Sequence, residues 1–482
     1  MNNIKFKTFA VAFSMLSLIN FSACDKEDDV VDNGGGSSGR SSKKDYTIHK
    51  YIFDTFGTYY YWNTNVPSYY RVEDYDTPYD VLESFREQTD RFSAVLNNYT
   101  EATKSLENDY KTDGINYMLY RAESGTNKIV AVVNYVYDNS PAKQAGVKRG
   151  FVITAVNGEY LTDDNYSTLL SLDVCTYSYK TISVVDSGEG APKLEWKNSE
   201  EKTTEQITKV DLKVDPVLQI KTFNKNDKRI GYFLYDSFTS DTKTIMNAVE
   251  KLQAQQVTDL VLDLRLNGGG YGSTLDTLAS MLVPSGNVGN IFVKTEYNTL
   301  LSTYFLRNDP NYNKTFFVDI SPKLELSTLY VLISSNTASA SEELISGLSP
   351  YMKVVLIGGE NSYGKFTSNL LLNDDEDRGS DENGIPYSEW AAYVSIGCCK
   401  NSLNEMKFAE GFAPDYTVKD IFYELGDENE PLLNTAISLI EGNVLSKKSK
   451  TLDFDLNDKI GAFGKPEITR SAMIQSINIK KY

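Results

Sequence analysis

One histidine stands in 482 residues, His49, and it lies far upstream of the other residues that suggest chemistry. A serine–histidine–aspartate triad therefore has a single possible general base, in the wrong part of the chain. Cysteine is nearly as scarce. Beyond Cys24 there are only Cys175, Cys398 and Cys399, too few and too spread for a disulfide framework or a zinc set. The adjacent pair Cys398-Cys399 ends an apolar, strand-like run and reads as buried structural thiols rather than a redox pair. Positive charge is short as well: 48 lysines and arginines face 66 acids, a net charge of −18. A chain this acidic repels phosphate backbones, and with no basic stripe to counter it, nucleic acid is excluded as a partner. The acidic stretch Asp374-Asp-Glu-Asp377 with Asp381-Glu382 lacks the alternating spacing of a calcium loop, so no metal is assigned. The glycine turn Asn267-Gly-Gly-Gly270 is followed by neither a P-loop lysine nor dinucleotide spacing, and no cofactor is expected.

The N-terminus reads as a secretory signal. Lys5 and Lys7 form a charged start, residues 9–21 are largely apolar, and Ser22-Ala23 precede Cys24. The apolar run is too short for a convincing membrane span. Phe21-Ser-Ala-Cys24 resembles a bacterial lipobox, with Phe where Leu is usual, which implies lipidation of Cys24. Asp25-Lys-Glu-Asp-Asp29 resembles the acidic export signal that places lipoproteins of the Bacteroidetes on the cell surface. The expected location is thus the outer membrane, surface exposed, with membrane contact only through the lipid.

The length calls for several domains. Residues 1–23 are the expected signal peptide, and 24–44 a charged, then Gly/Ser-rich tether. Residues 45–104 read as a helical, strongly aromatic unit, with Phe53, Phe56 and Trp62 as core. In it Thr77-Pro-Tyr-Asp80 has the signature of a helix start. Residues 105–210 carry Asn139-Ser-Pro-Ala-Lys-Gln-Ala-Gly146 and Ile153-Thr-Ala-Val-Asn-Gly158, and this stretch resembles a PDZ domain. The resemblance implies capture of a peptide C-terminus by strand addition, with Gly114, Ile115, Asn116 and Tyr117 near the place of the carboxylate loop. Residues 211–445 alternate strands and helices, and 446–482 form a C-terminal extension.

Within residues 211–445, the apolar run 329–333 leads into Thr337-Ala-Ser-Ala-Ser-Glu342. A helical stretch, a second apolar run at 354–357, and Gly364-Lys365 follow. The local expectation is a helix start capped by Thr337 or Ser339. A serine there also gains backbone N–H donors where negative charge develops. A buried lysine can replace histidine as base, because burial favours the neutral amine. These segments, with Asp263-Leu-Arg265 and its glycines, resemble the tail-specific, or C-terminal processing, peptidases of family S41. The resemblance implies a ClpP/crotonase-like α/β catalytic domain, so the expected fold is multidomain α/β: a helical N-terminal unit, a β-rich PDZ domain and this domain. It further implies Ser339 as nucleophile and Lys365 as general base. Backbone amides of Ala340 and of Gly269 or Gly270 would form the oxyanion hole. Asn369 stands where many members carry an orienting glutamine.

The expected function is a surface-anchored serine endopeptidase that cuts polypeptides, held by their C-termini, through a Ser-Lys acyl-enzyme. The oligomeric state is open. The alternatives are a non-cleaving peptide- or ligand-binding lipoprotein on a peptidase fold, or a structural component of an outer-membrane assembly. Lipid attachment is directly testable, since Cys24→Ser should abolish incorporation of labelled fatty acid. Neutralising Asp25, Asp28 and Asp29 with Glu27 should keep the lipid but lose protease accessibility on intact cells; unchanged accessibility would reduce the acidic run to a linker.

Overall fold

The computed structural model describes residues 46–185, 193–374, 379–446 and the short stretches 453–454, 457–465, 468 and 473–474. The expected signal, Cys24 and the expected tether lie outside the described residues, as does most of the acidic stretch that begins at Asp374.

Helices α1 (Thr47–Tyr59) and α2 (Pro78–Phe85) open the fold. The Thr77 hydroxyl accepts from the Asp80 amide at 3.2 Å, and the Asp80 carboxylate accepts from the Thr77 amide at 2.9 Å. With Pro78 at the first helical position, this is the reciprocal cap the sequence anticipates. The aromatic cluster is core, but not the core of a separate unit. Ile52, Phe53, Phe56 and Phe85 share one cluster with Leu370, Val394 and Ile396 from much later strands. Strand β1 (Ala94–Leu96) continues that union by pairing antiparallel with a distant strand, Val95 opposite Ala392.

The middle of the chain forms a seven-stranded sheet. Its central strands are β2 (Ile115–Arg121), β3 (Ile129–Val136), β4 (Phe151–Val156) and, after helix α3 (Tyr166–Ser171), β5 (Tyr177–Thr181). They lie in the order β5-β4-β3-β2. Ile115, Val133, Ile153 and Tyr177 fill a core closed by Leu170 of α3.

A six-stranded sheet follows, with β6 (Val217–Lys225) antiparallel to β7 (Lys228–Tyr235) at one edge. From β7 the chain runs through helix α4 (Thr242–Ala254) to the parallel strand β8 (Asp259–Asp263). Next come the two-residue β9 (Gly270–Tyr271) and helix α5 (Gly272–Leu282). Strands β10 (Ile291–Tyr297) and β11 (Lys314–Phe316) belong to a third sheet. The chain then returns to the parallel sheet with β12 (Thr328–Ile333), crosses over helix α6 (Ala340–Leu348), and re-enters as β13 (Lys353–Gly358). Val261, Val331 and Ile357 are fully buried, as strands covered on both faces require. Helices α4, α5 and α6 share one core. Helix α7 (Pro431–Ile440) packs on the opposite face. Register pairs Leu260 with Leu329 and Leu329 with Val354, so β8, β12 and β13 end side by side.

Strands β14 (Thr367–Asn373) and β15 (Ala391–Asn401) pair antiparallel in the third sheet, and a short β16 (Tyr416–Thr417) closes the parallel one. Cys398 and Cys399 lie buried on β15, as does Cys175 elsewhere, and none of the three is in a disulfide; burial pushes the Cys398 thiol up to about 12. The C-terminal segment contributes β17 (Asn457–Phe463), antiparallel to β2, and β18 (Met473–Ile474), between β9 and β14.

Candidate active site

The carboxyl ends of parallel strands are where an open α/β sheet presents its turns. Here three turns meet there: a glycine turn after β8, a serine turn after β12 and a lysine turn after β13. Hydrogen bonds tie them together. The Asn267 carbonyl accepts from the Ala338 amide at 3.1 Å and the Ser341 hydroxyl at 3.2 Å. Thr337 donates its hydroxyl to the Leu264 carbonyl at 2.8 Å and accepts from the Tyr363 amide through its own carbonyl at 2.9 Å. Below them, Arg265 is buried between Asp263 at 2.7 Å and Glu430 at 2.9 Å, which pins the start of the glycine turn.

Ser339 is the last residue before α6, at φ 59° and ψ −113°. A non-glycine residue rarely adopts a positive φ, and such strain persists only where neighbours fix it. A sharp strand-to-helix turn of this kind projects a serine side chain at the end of a sheet. Ser339 stands at the N-cap of α6, as expected, in a capping-box arrangement with Glu342. Ser339 Oγ makes no hydrogen bond, and Thr337 Oγ1 instead receives the Ser334 amide at 3.0 Å. The cap comes from the helix side: Glu342 reaches back to the Ser339 amide at 2.9 Å. That carboxylate also accepts from the Gly364 and Lys365 amides, at 2.7 and 2.8 Å, and from Ser362 Oγ at 2.5 Å. One buried carboxylate thus holds the backbones of both Ser339 and Lys365. Burial pushes its acid up to about 7 against the pull of these donors.

Lys365 is fully buried, and burial lowers its amine from 10.5 to about 7. Asp90, Glu342 and Glu343 favour the charged form but do not offset that penalty. Lys365 Nζ donates to the Thr367 carbonyl at 3.1 Å, to Thr367 Oγ1 at 3.3 Å and to Asn369 Oδ1. The rings of Phe92 and Tyr393 lie 4.8 and 5.6 Å from it and wall off water. Behind Asn369, Ser395 Oγ accepts from Asn369 Nδ2 and donates to Asp90 Oδ1, both at 3.2 Å. Asp90 is held in turn by the amides of Phe92 and Ser93 at 3.0 Å and by Tyr60 Oη at 2.8 Å.

The sequence-derived residues fall into two groups. Ser339 and Lys365 are joined through the Glu342 carboxylate, Ala340 follows Ser339 on α6, Asn369 accepts from the Lys365 amine, and Gly269 and Gly270 belong to the glycine turn that Asn267 ties to Ala338 and Ser341. The Gly269 amide already donates to Asn267 Oδ1 at 2.9 Å. Gly270 sits at φ +140°, where an added Cβ would lie 2.0 Å from the Phe238 carbonyl oxygen, so only glycine fits. Ala340 opens α6, so its amide has no acceptor inside the helix. Gly114, Ile115, Asn116 and Tyr117 lie at the start of β2, where Asn116 lines a small cavity with Gly268 of the glycine turn and Asn336 of the serine turn. The Gly114 and Ile115 amides are engaged by Thr112 Oγ1 and Asp113 Oδ1, both at 2.9 Å. His49 is buried on α1, its ring edge-on to Tyr46.

Sequence reasoning missed the anchoring role of Glu342, and also Thr367, Ser395, Asp90 and Phe92. The first two had signals. Ser339 and Glu342 have capping-box spacing, and Lys365, Thr367 and Asn369 alternate along one strand face. Ser395, Asp90 and Phe92 had no local signal.

Residues 229–416 match the model of peptidase family S41, and residues 47–94 that of the peptidase S41 N-terminal domain. Two stretches of the chain thus match domains of peptidase family S41. It is 27% identical over 256 residues to the chloroplastic C-terminal processing peptidase of Tetradesmus obliquus, covering 50% of this chain and 49% of that one. It is 28% identical over 287 residues to carboxyl-terminal-processing peptidase 1 of Arabidopsis thaliana, covering 59% and 53%. The chain spans about half the length of these curated relatives. Its fold matches the crystal structure of a Bacteroides fragilis protein assigned as an S41 protease, with a TM-score of 0.66 and 24% identity over 81% of this chain and 97% of that one.

The buried amine makes a stability prediction. Between the folded value near 7 and the unfolded 10.5 the unfolded chain binds the extra proton, so wild-type stability rises with pH across that window. Lys365→Met removes this dependence. Its stability relative to wild type should therefore fall by a few kcal/mol from pH 7 to pH 10, at about 1.4 kcal/mol per unit. Denaturant unfolding at three pH values measures the slope, and a pH-independent difference would show that Lys365 is protonated in the folded chain.

Proposed function

We propose that this chain is a surface-anchored serine endopeptidase of the tail-specific type, cutting polypeptides near their C-termini through a Ser-Lys acyl-enzyme. The observation that carries this reading is the buried, desolvated amine of Lys365, whose backbone shares the Glu342 carboxylate with the strained turn at Ser339. A neutral amine can accept a proton at working pH; an exposed lysine cannot. Lys365 takes the proton of Ser339 Oγ as that oxygen attacks the scissile carbonyl. Asn369 and Thr367 hold the amine beforehand, so the proton transfer requires it to turn from the Thr367 carbonyl toward Oγ. Charge on the carbonyl oxygen is met by the Ala340 amide and by that of Gly270, favoured over Gly269, whose amide is engaged. The resulting ammonium returns its proton to the leaving amine, and water then hydrolyses the acyl-enzyme.

We read the middle sheet as a PDZ-like module. Its strand β2, paired in the structure with β17, would offer an edge to which an extended peptide adds as a strand once β17 is displaced, and helix α3 flanks it. A non-cleaving binding protein is the second reading, favoured by the absence of a hydrogen bond from Ser339 Oγ to the amine.

The two readings differ in reactivity. Ser339 should take up a fluorophosphonate label, and Ser339→Ala should lose both label and peptide hydrolysis while remaining folded. Lys365→Arg should be nearly inactive, because arginine stays protonated. The wild-type rate should rise with pH through a group near 7, and His49→Ala should leave it unchanged. Wild-type hydrolysis in Ser339→Ala would remove the nucleophile assignment, and an unlabelled, inert wild type would favour the binding protein.

A further inference from the structure

The C-terminal segment runs along the surfaces that the proposed function assigns to a substrate. Strand β17 is antiparallel to β2, with Phe463 opposite Tyr117, Ala462 opposite Met118 and Gly461 opposite Leu119. It takes the sheet edge that β2 would otherwise present. The half-buried Phe463 ring packs against the core of this sheet, its centroid 6.2 Å from that of Tyr166 on α3. The segment therefore lies on the edge with an aromatic side chain against the flanking helix, as a peptide ligand added to a sheet does.

From there it touches all three turns of the candidate site. Lys459 Nζ bonds Ser335 Oγ of the serine turn at 2.6 Å and pairs with Glu360 of the lysine turn. Lys465 is buried, its amine 2.7 Å from the Asp236 carboxylate and 3.0 Å from the Leu266 carbonyl at the foot of the glycine turn. Between these anchors Gly464, at φ +97°, lies so close to β2 that an added Cβ would stand 2.2 Å from the Ile115 carbonyl oxygen. Strand β18 then lies between β9 and β14, with Met473 opposite Gly270 and Ile474 opposite both Tyr271 and Asn369. Gly270 is the favoured oxyanion residue and Asn369 holds the Lys365 amine. The backbone of the tail thus sits where an extended substrate would pair with the site. A cavity of about 710 Å³ beside it is lined by Phe92, Tyr393 and Tyr363 on one side and by residues 459–462 of the tail on the other. Phe92 and Tyr393 are the rings that enclose Lys365 Nζ.

We infer that residues 457–465 and 473–474 are intramolecular occupants of this chain's own polypeptide path, which must leave the β2 edge and the cleft before another polypeptide enters. The inference rests on the reading of that edge and cleft as the substrate path. Because the anchors are two salt bridges and a strand addition rather than a covalent bond, the tail competes with incoming chains at the high effective concentration of a tethered ligand.

The test is binding, in full-length protein carrying Ser339→Ala so that nothing is cleaved. A fluorescein-labelled synthetic peptide with the sequence of residues 457–474 is titrated into this parent and into the same chain with Gly464→Val or Lys459→Glu. The first substitution drives a side chain into the Ile115 carbonyl; the second sets two carboxylates together at an exposed position, and carries the test if the first misfolds. Hydrogen exchange at residues 457–463 reports whether the tail is seated. In the parent these amides should be protected, and unseating the tail should raise the peptide's apparent affinity about ten-fold, as expected if roughly nine molecules in ten are occupied. Tail amides that exchange freely in the parent, or equal peptide affinity once exchange shows the tail released, would overturn the inference. With Ser339 restored, the same variants should hydrolyse added peptides about ten-fold faster at subsaturating concentration. If none hydrolyses any peptide, the peptidase reading falls while the binding result stands.

Discussion

A single buried carboxylate organises the candidate site. Glu342 lies in the first turn of α6, where the helix dipole favours negative charge, and its two oxygens take donors from both sides of the cleft. Without it the Ser339 amide would be unpaired at a strained φ, and the Gly364-Lys365 backbone would lose the acceptor that fixes its approach. Orphaned buried donors cost roughly 1–3 kcal/mol each, and Glu342 satisfies three amides and a hydroxyl at once. The positions of Ser339 and Lys365 are therefore coupled through a third group, the Glu342 carboxylate.

The coupling works because the scaffold beneath it is rigid. Strands β8, β12 and β13 are apolar on both faces and end in register, so the turns that follow them start from fixed points. The buried pair of Arg265 with Asp263 and Glu430 reaches from the glycine turn to the cap of α7. Truncating one partner of such a network leaves an uncompensated buried charge, which is far costlier than the pair is worth. The turns can consequently hold a positive φ at Ser339, a conformation that costs of order 1–3 kcal/mol in isolation.

Much of this was legible in the sequence where the signal is local. The apolar runs 329–333 and 354–357 read as covered strands, Thr77 as a helix cap, and the turns that carry Ser339 and Lys365 as neighbours through their resemblance to a family. What escaped was set by long-range packing. The aromatic residues of α1 and α2 read as a small unit of their own, but their partners are Leu370, Val394 and Ile396, some three hundred residues away, and no periodicity announces that pairing. The residues after 445 read as an extension, because nothing in a seven-residue strand names the edge it will cover. Glu342 was visible as a first-turn acid, yet its reach to Gly364 and Lys365 depends on how β13 returns to the serine turn.

The same long-range packing gives the N-terminal segment a part in setting the basicity of the Lys365 amine. Asp90 is buried with four donors around it, and its charge acts on Lys365 through the Ser395 and Asn369 side chains and through space. Burial alone would drive the amine further down than about 7; Asp90 is the largest of the charges that hold it up. A base too weak to accept a proton is as useless as one that never releases it, so the amine's basicity is a balance between the two effects. Phe92, two residues beyond Asp90, supplies part of the apolar enclosure that lowers the value while Asp90 supplies the charge that raises it. One short segment thus sets both sides of the balance, which explains why the fold ties it so firmly to β15, the strand that carries Tyr393 and Ser395.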